Sequence, residues 1–252
     1  MGKQKIGTLR IGTSNIVLPG NKQSFPQAFH DKSRLNYYAS LFNTLEVNSS
    51  FYKNPMPATF EKWSQDVPGD FQFTIKLWKE ITHVKELEID LNNIDHFLKA
   101  ANRIGDKKGC LLIQFPGKIH LDYYQQVEKI LQRIKQFDPL HPWRLAIEFR
   151  NASWYVNETL ELLDEYGASL VLHDIPKGKN ASLNKKAAFI YTRYHGSAGD
   201  YRGSYSDDFL LQEANKINNW LNAGKNVYAY FNNTIGSAFE NARVLMGMIK
   251  KK

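Results

Sequence analysis

The chain has 252 residues, 42% hydrophobic and 23% charged, an ordinary globular composition at a length where α/β barrels run as one domain. Its longest apolar runs, such as residues 110–115, are far too short to cross a bilayer, and the basic start from Met1 to Arg10 has no apolar stretch behind it, so a cytoplasmic location without membrane contact is expected. A net charge of +8 favours encounters with anions, but it is spread along the chain apart from a tail of Lys250, Lys251 and Lys252.

Period-2 runs rich in β-branched and aromatic residues predict strands, and amphipathic segments between them predict helices. The first strand is expected over residues 9–14, followed by a helix over 33–43 that Ser33 caps. A second strand over 44–50 leads to a helix over 57–65, and a third over 72–78 to a helix over 91–104. The fourth strand, 109–115, contains the lone Cys110, which has no disulfide partner and reads as a small buried hydrophobe. A helix over 122–137 follows behind Asp122, then a strand over 144–150 and a helix over 153–166 behind Ser153. The sixth strand, 169–174, runs into an irregular connection; the seventh, 189–195, precedes a helix over 207–222, and the eighth, 226–232, a helix over 237–249. At the start of that last helix, Ser237 with Glu240 has capping-box spacing.

Eight alternating units, with no Gly-x-Gly-x-x-Gly after the first strand, predict the α/β class and a single (β/α)8 TIM barrel over residues 1–252. Its sheet would be parallel and eight-stranded, with only the sixth helix irregular. An open doubly wound sheet is the alternative.

Alternation also assigns faces. Apolar Leu45, Val47, Phe73, Ile75 and Leu77 belong under the helices, which turns Glu46, Asn48, Lys76 and Trp78 inward. The same parity turns inward Gln114, Glu148, Arg150, Tyr191, Arg193, His195, Tyr228, Tyr230 and Asn232, while strand six leaves His173 and Asp174 undecided. The charged and amide groups fall late in their strands, at the end where barrel enzymes build active sites. A structural ion-pair network is the competing explanation: Glu46 could pair with Lys76, and Arg150 or Arg193 with Glu148 or Asp174.

At these residues the chain resembles the YecE-like proteins, domain of unknown function 72. The matching segments are Glu46 to Tyr52, Phe71 to Lys76 with Ile81 to His83, Gln114 to Pro116, Glu148 to Arg150 with Ser153 and Trp154, Asp174, Tyr191 to Gly196, and Tyr230 to Asn233. The resemblance implies a TIM barrel and assigns no activity. One departure lies after the first strand: the family pattern Gly-Thr-Ser-Gly-Trp is here Gly12, Thr13, Ser14, Asn15 and Ile16.

The expected function is acid/base enzymology on an anionic, phosphate-bearing or nucleic-acid-derived substrate. Glu46, Glu148, His195 and Asp174 are the candidate catalytic groups. Asn48, Tyr52, Lys76, His83, Gln114, Arg150, Arg193, Tyr201 and Asn232 are the candidate binding groups. The glycine-rich loop 196–203 and the start of the last helix could add a phosphate site. No cofactor is expected, although Glu148, His173, Asp174 and His195 could ligate a divalent metal, as in a metal-dependent phosphodiesterase- or isomerase-like barrel. A nucleic-acid-binding module stacking bases on Tyr52, Trp78, Trp154, Tyr201 and Tyr205 is the alternative from another class. The oligomeric state is left open.

Overall fold

A computed structural model describes residues 6–180 and 182–249, so Lys250, Lys251 and Lys252 lie outside the described residues. Strands and helices alternate along the chain. β1 (Leu9–Thr13) and α1 (Arg34–Leu41) lead to β2 (Thr44–Val47), which is followed by a one-turn helix α2 (Ser49–Tyr52) and by α3 (Pro57–Gln65). β3 (Gln72–Lys76), the short α4 (Lys79–Thr82), α5 (Asn92–Ala101), β4 (Lys108–Phe115) and α6 (Tyr124–Phe137) come next. They are followed by β5 (Arg144–Phe149), α7 (Asn157–Glu165), and two two-residue strands, β6 (Ser169–Leu170) and β7 (Leu172–His173). β8 (Phe189–Tyr194), α8 (Asp207–Asn222), β9 (Asn226–Phe231) and α9 (Ala238–Met248) complete the order.

Start signals were unequal guides to the helices. Ser33 Oγ accepts the Asn36 N–H at 2.9 Å and caps α1 as expected. Ser237 stands at the cap position of α9 but makes no side-chain cap bond, so the capping box is not formed. Ser153 lies in a 3-10 turn (Ala152–Trp154) capped by Asn151, and α7 begins only at Asn157.

The single eight-stranded barrel expected from the sequence is corrected by the hydrogen bonding. The strands form two parallel sheets, one of four strands in the order β1-β9-β8-β7 and one of five in the order β2-β3-β4-β5-β6. Side chains explain both breaks. Along β1 the groups that would pair with β2 are taken by Asn43, which accepts from Ile11 N and donates to Leu9 O, and by Tyr38, whose hydroxyl accepts from Thr13 N. One isolated bridge, Ser14 to Glu46, is the backbone pairing recorded there. The predicted sixth strand is cut at Val171: its first half pairs with β5, its second with β8. At that cut Asn184 accepts from Leu170 N and Asn180 donates to Val171 O. Buried backbone groups need partners, and amide side chains supply them where a ladder would otherwise continue.

Between the sheets the inward side chains are layered. An apolar layer of Cys110, Leu112, Ala146, Val171, Phe189, Tyr191, Tyr228 and Tyr230 draws on both sheets. The Tyr230 hydroxyl ties it to Thr44 and Thr74 at 2.6 and 2.8 Å. Two residues further along the same strands come Gln114, Glu148, His173, Arg193 and Asn232, so the polar groups share one level above the hydrocarbon. The larger core packs the outer strand faces, including Leu45, Val47, Phe73 and Ile75, against the helices.

Candidate functional site

Arg193 is the hub of the polar layer. It comes from β8 in the four-stranded sheet, is 1% exposed, and reaches two glutamates of the five-stranded sheet. Its Nε and Nη2 donate to the two Glu46 oxygens at 3.0 and 2.8 Å, and Nη1 donates to Glu148 Oε2 at 2.7 Å. Glu46 also accepts from the Ser14 and Tyr191 hydroxyls, both at 2.6 Å, and from Asn48 Nδ2 at 3.2 Å. Glu148 accepts in addition from Arg150 Nε. Burial pushes the Glu46 carboxyl up, but Arg193 and these hydroxyls outweigh it and hold the group below its ordinary range. Burial likewise opposes ionisation of Glu148, and Arg150 and Arg193 reverse it more strongly.

The chain of bonds continues through Arg150 to the opposite edge. Arg150 Nη2 lies 3.2 Å from His195 Nε2, and His195 Nδ1 lies 3.1 Å from Asp174 Oδ1. A guanidinium can only donate, so Nε2 is the acceptor and the proton sits on Nδ1, facing Asp174. Burial lowers the His195 pKa to about 4 against the bond to Asp174, leaving the ring neutral at neutral pH. Asp174 also accepts from His195 N at 2.8 Å and from the Tyr205 hydroxyl, and these bonds keep it ionised despite burial. One hydrogen-bonded line therefore runs Tyr205, Asp174, His195, Arg150, Glu148, Arg193, Glu46. Each of the four groups assigned to proton transfer from the sequence sits in it with bonds to its neighbours.

Lys76 stands outside this line. The anticipated pairing with Glu46 is not formed; the ammonium lies 4.1 Å from the centre of the Phe51 ring. It makes no ion pair or hydrogen bond to another described residue through Nζ. Burial, then the positive charge of Arg193, lowers its pKa to about 8, against the pull of Glu148 and Glu46. Phe51 is placed by α2, where Ser50 Oγ donates to the Lys76 carbonyl at 2.7 Å. The Phe51 ring also meets the His83 ring, edge-on with centroids 4.7 Å apart. Burial and the nearby Lys76 lower the His83 pKa to about 4, and its Nδ1 meets the Thr82 hydroxyl at 2.8 Å. The side-chain amides of Gln114 and Asn232, at 9% and 8% exposure, make no hydrogen bond to another described residue, and Asn48 Oδ1 is buried without one.

The remaining expectations fare unevenly. Tyr201 is edge-on to His195 with centroids 5.7 Å apart, whereas Tyr52 is 70% exposed with its ring edge-on to Phe51. Of the proposed stacking aromatics, Trp154 is fully buried against Phe149 and Tyr205 is buried under Asp174, which removes both from a nucleic-acid surface. Among the described residues no group of three or more His, Cys, Asp or Glu is placed to hold a metal; Glu148 faces two arginines, and His173 Nε2 is turned to Phe149 O. Loop 196–203 is latched to the start of α9: the Gly203 carbonyl accepts Ser237 N and Asn233 Nδ2, both at 3.0 Å. Gly196 permits this packing, with φ of +97° and no room for a Cβ against the Arg202 carbonyl. Sequence reasoning missed Ser14, Phe51 and Tyr205 as partners of charged groups. Of these, Ser14 had a usable signal, because it ends the strand that neighbours Glu46.

Comparison with known proteins places this arrangement among relatives. Residues 10–252 match the family described as "Protein of unknown function DUF72". UPF0759 protein YunF of Bacillus subtilis strain 168 is 23% identical over 260 residues, covering 89% of either chain. UPF0759 protein YecE of Escherichia coli K12 is 28% identical over 98 residues, 36% of each. A crystal structure of a DUF72 family protein from Enterococcus faecalis V583 superposes with a TM-score of 0.78 at 22% identity, covering 98% of this chain and 100% of that one. Another, from Thermotoga maritima MSB8, gives 0.74 at 24% identity, covering 97% and 100%. At these identities the likeness is one of fold.

Proposed function

The chain belongs to the DUF72 family of proteins of unknown function, and for this member we propose an enzyme that binds a small anionic substrate at the strand ends that carry Lys76, Arg150, Gln114 and Asn232. The observation that carries the reading is a division among the cations. Arg193 is fully engaged by Glu46 and Glu148, while Lys76 has no carboxylate of its own and Arg150 keeps Nη1 unbonded among the described residues. A half-buried lysine without a counter-ion is costly to keep, so a site that retains one favours an incoming negative charge. In this reading the two glutamates fix Arg150 and Arg193. The amides of Asn48, Gln114 and Asn232 orient polar groups of the substrate, and Lys76 is the proton carrier best poised near neutrality.

Isothermal titration with inorganic phosphate tests it. Lys76→Met is expected to weaken binding by about tenfold or more, roughly 1.4 kcal/mol. Affinity unchanged by that substitution would remove the proposal. The nucleic-acid alternative is weaker, since only Tyr52 and Tyr201 of its aromatic platform are exposed.

A further inference from the structure

Helix α8 presents two adjacent stripes. Leu210, Ala214, Ile217 and Leu221 join the hydrophobic core, while Phe209, Glu213, Lys216 and Trp220, at the same i, i+4, i+7, i+11 spacing, turn toward the outer face of β7 and β8. In a regular barrel unit a helix between those strands would cover the second stripe. The described residues of that connection instead contain one 3-10 turn, Pro176–Gly178, and a cleft of about 230 Å³ is left beside α8. Leu172, Thr192 and Tyr194 line it from the strands, Phe209 and Trp220 from the helix.

The polar groups of the cleft are incompletely matched. Thr192 is 2% exposed, and its Oγ1 has no hydrogen-bond partner. The buried Glu213 carboxylate accepts from the Tyr194 hydroxyl at 2.9 Å and from Lys216 Nζ at 2.6 Å. Lys216 is 57% exposed, so its ammonium can exchange that bond for water at little cost. With Lys216 turned out, two carboxylates, Glu213 and Asp174, line the cleft against one exposed cation, Lys179. Arg193 also borders it, but its guanidinium is spent on Glu46 and Glu148.

We propose that this cleft is a second ligand site, on the other face of β8 from the polar layer, and that it takes a small organic ammonium ion. The ammonium replaces Lys216 on Glu213, and the hydrocarbon lies against Phe209 and Trp220. An ammonium has three donors and no acceptor, which matches a carboxylate and an unpartnered hydroxyl oxygen. Aromatic faces attract a cation and cover its apolar part. An apolar cavity of about 150 Å³ holds benzene, so the space here suits roughly one ring with its ammonium arm.

An NMR titration of the full chain with benzylammonium chloride tests this, following the Trp220 indole N–H, identified by its loss in Trp220→Phe. A saturable shift is expected, and the similarly shaped anion phenylacetate should give none. Glu213→Gln keeps an oxygen for the Tyr194 hydroxyl but removes the charge, and should weaken the ligand by about tenfold or more. Lys216→Met, at an exposed position, should tighten it by about threefold, because the internal cation no longer competes. A Glu213–Lys216 pair that only supports the fold would improve binding in neither variant. No saturable shift, an unchanged affinity in Glu213→Gln, weaker binding in Lys216→Met, or binding of phenylacetate in preference overturns the proposal. Benzyl alcohol binding as tightly as benzylammonium overturns its ionic part.

Discussion

Arg193 shows how much of the site is a matter of single residues. Among the described residues it is the one side chain that bonds both Glu46 and Glu148, and the three nitrogens of its guanidinium are all in use. Removing one partner from a buried charged set leaves the other charges without compensation, which typically destabilises by about 3–5 kcal/mol. Arg193→Met should accordingly lower the unfolding free energy measured in urea by that order, and Glu46→Gln in the same background should recover part of the loss because one orphaned charge is gone. A loss within about 0.5 kcal/mol, the range of an indifferent surface substitution, would mean that the bonds to Glu46 and Glu148 contribute little. The inward parity of Glu46, Glu148, Arg193 and Asn232 was legible from alternation alone. Their pairing was not, because parity fixes the face of a residue and leaves open which of several inward charges it meets.

At the scale of elements, the capping positions separate pattern from geometry. Ser33 bonds Asn36 N and also reaches Asp66, whereas Ser237 has a serine's preference for the position but no cap bond. Ser33→Ala is expected to cost about 1 kcal/mol in chemical denaturation. Ser237→Ala should be near neutral, and equal losses at the two positions would contradict the assignment. The two sheets turn on the same distinction. Leu9–Thr13 and Thr44–Val47 read as neighbouring strands of one ladder, and no periodicity in either shows that Asn43 and Tyr38 take the intervening backbone groups. The cut at Val171 was equally hidden, since Asn180 and Asn184 lie in the irregular stretch that follows. Helix α3, bounded by Pro57 and followed by Pro68, was placed correctly because its signals are local.

For the whole molecule, the buried ionisable groups set the pH response. His83 and His195 have folded pKa values of about 4, and that of His173 is also lowered, against about 6.5 in an unfolded chain. Between those values the unfolded state binds more protons, so their contribution is complete above about pH 6.5 and is lost as pH falls toward 4. Glu46, Glu148 and Asp174 have depressed pKa values, so their contribution is present above the unfolded carboxylate range and is lost as pH falls further. Urea midpoints should thus decline from pH 7 to 5 and more steeply below about 4.5; a flat profile over that span would contradict neutral buried histidines. The same network leaves Lys76 as the cation without a carboxylate, and on that the functional account depends. An NMR titration of isotope-labelled lysine ammonium groups tests it most directly. The account predicts one signal, missing in Lys76→Arg, that titrates near pH 8 and moves to higher pH when phosphate is added. If every lysine signal titrates near the ordinary value of about 10.4 and none responds to phosphate, the account is contradicted.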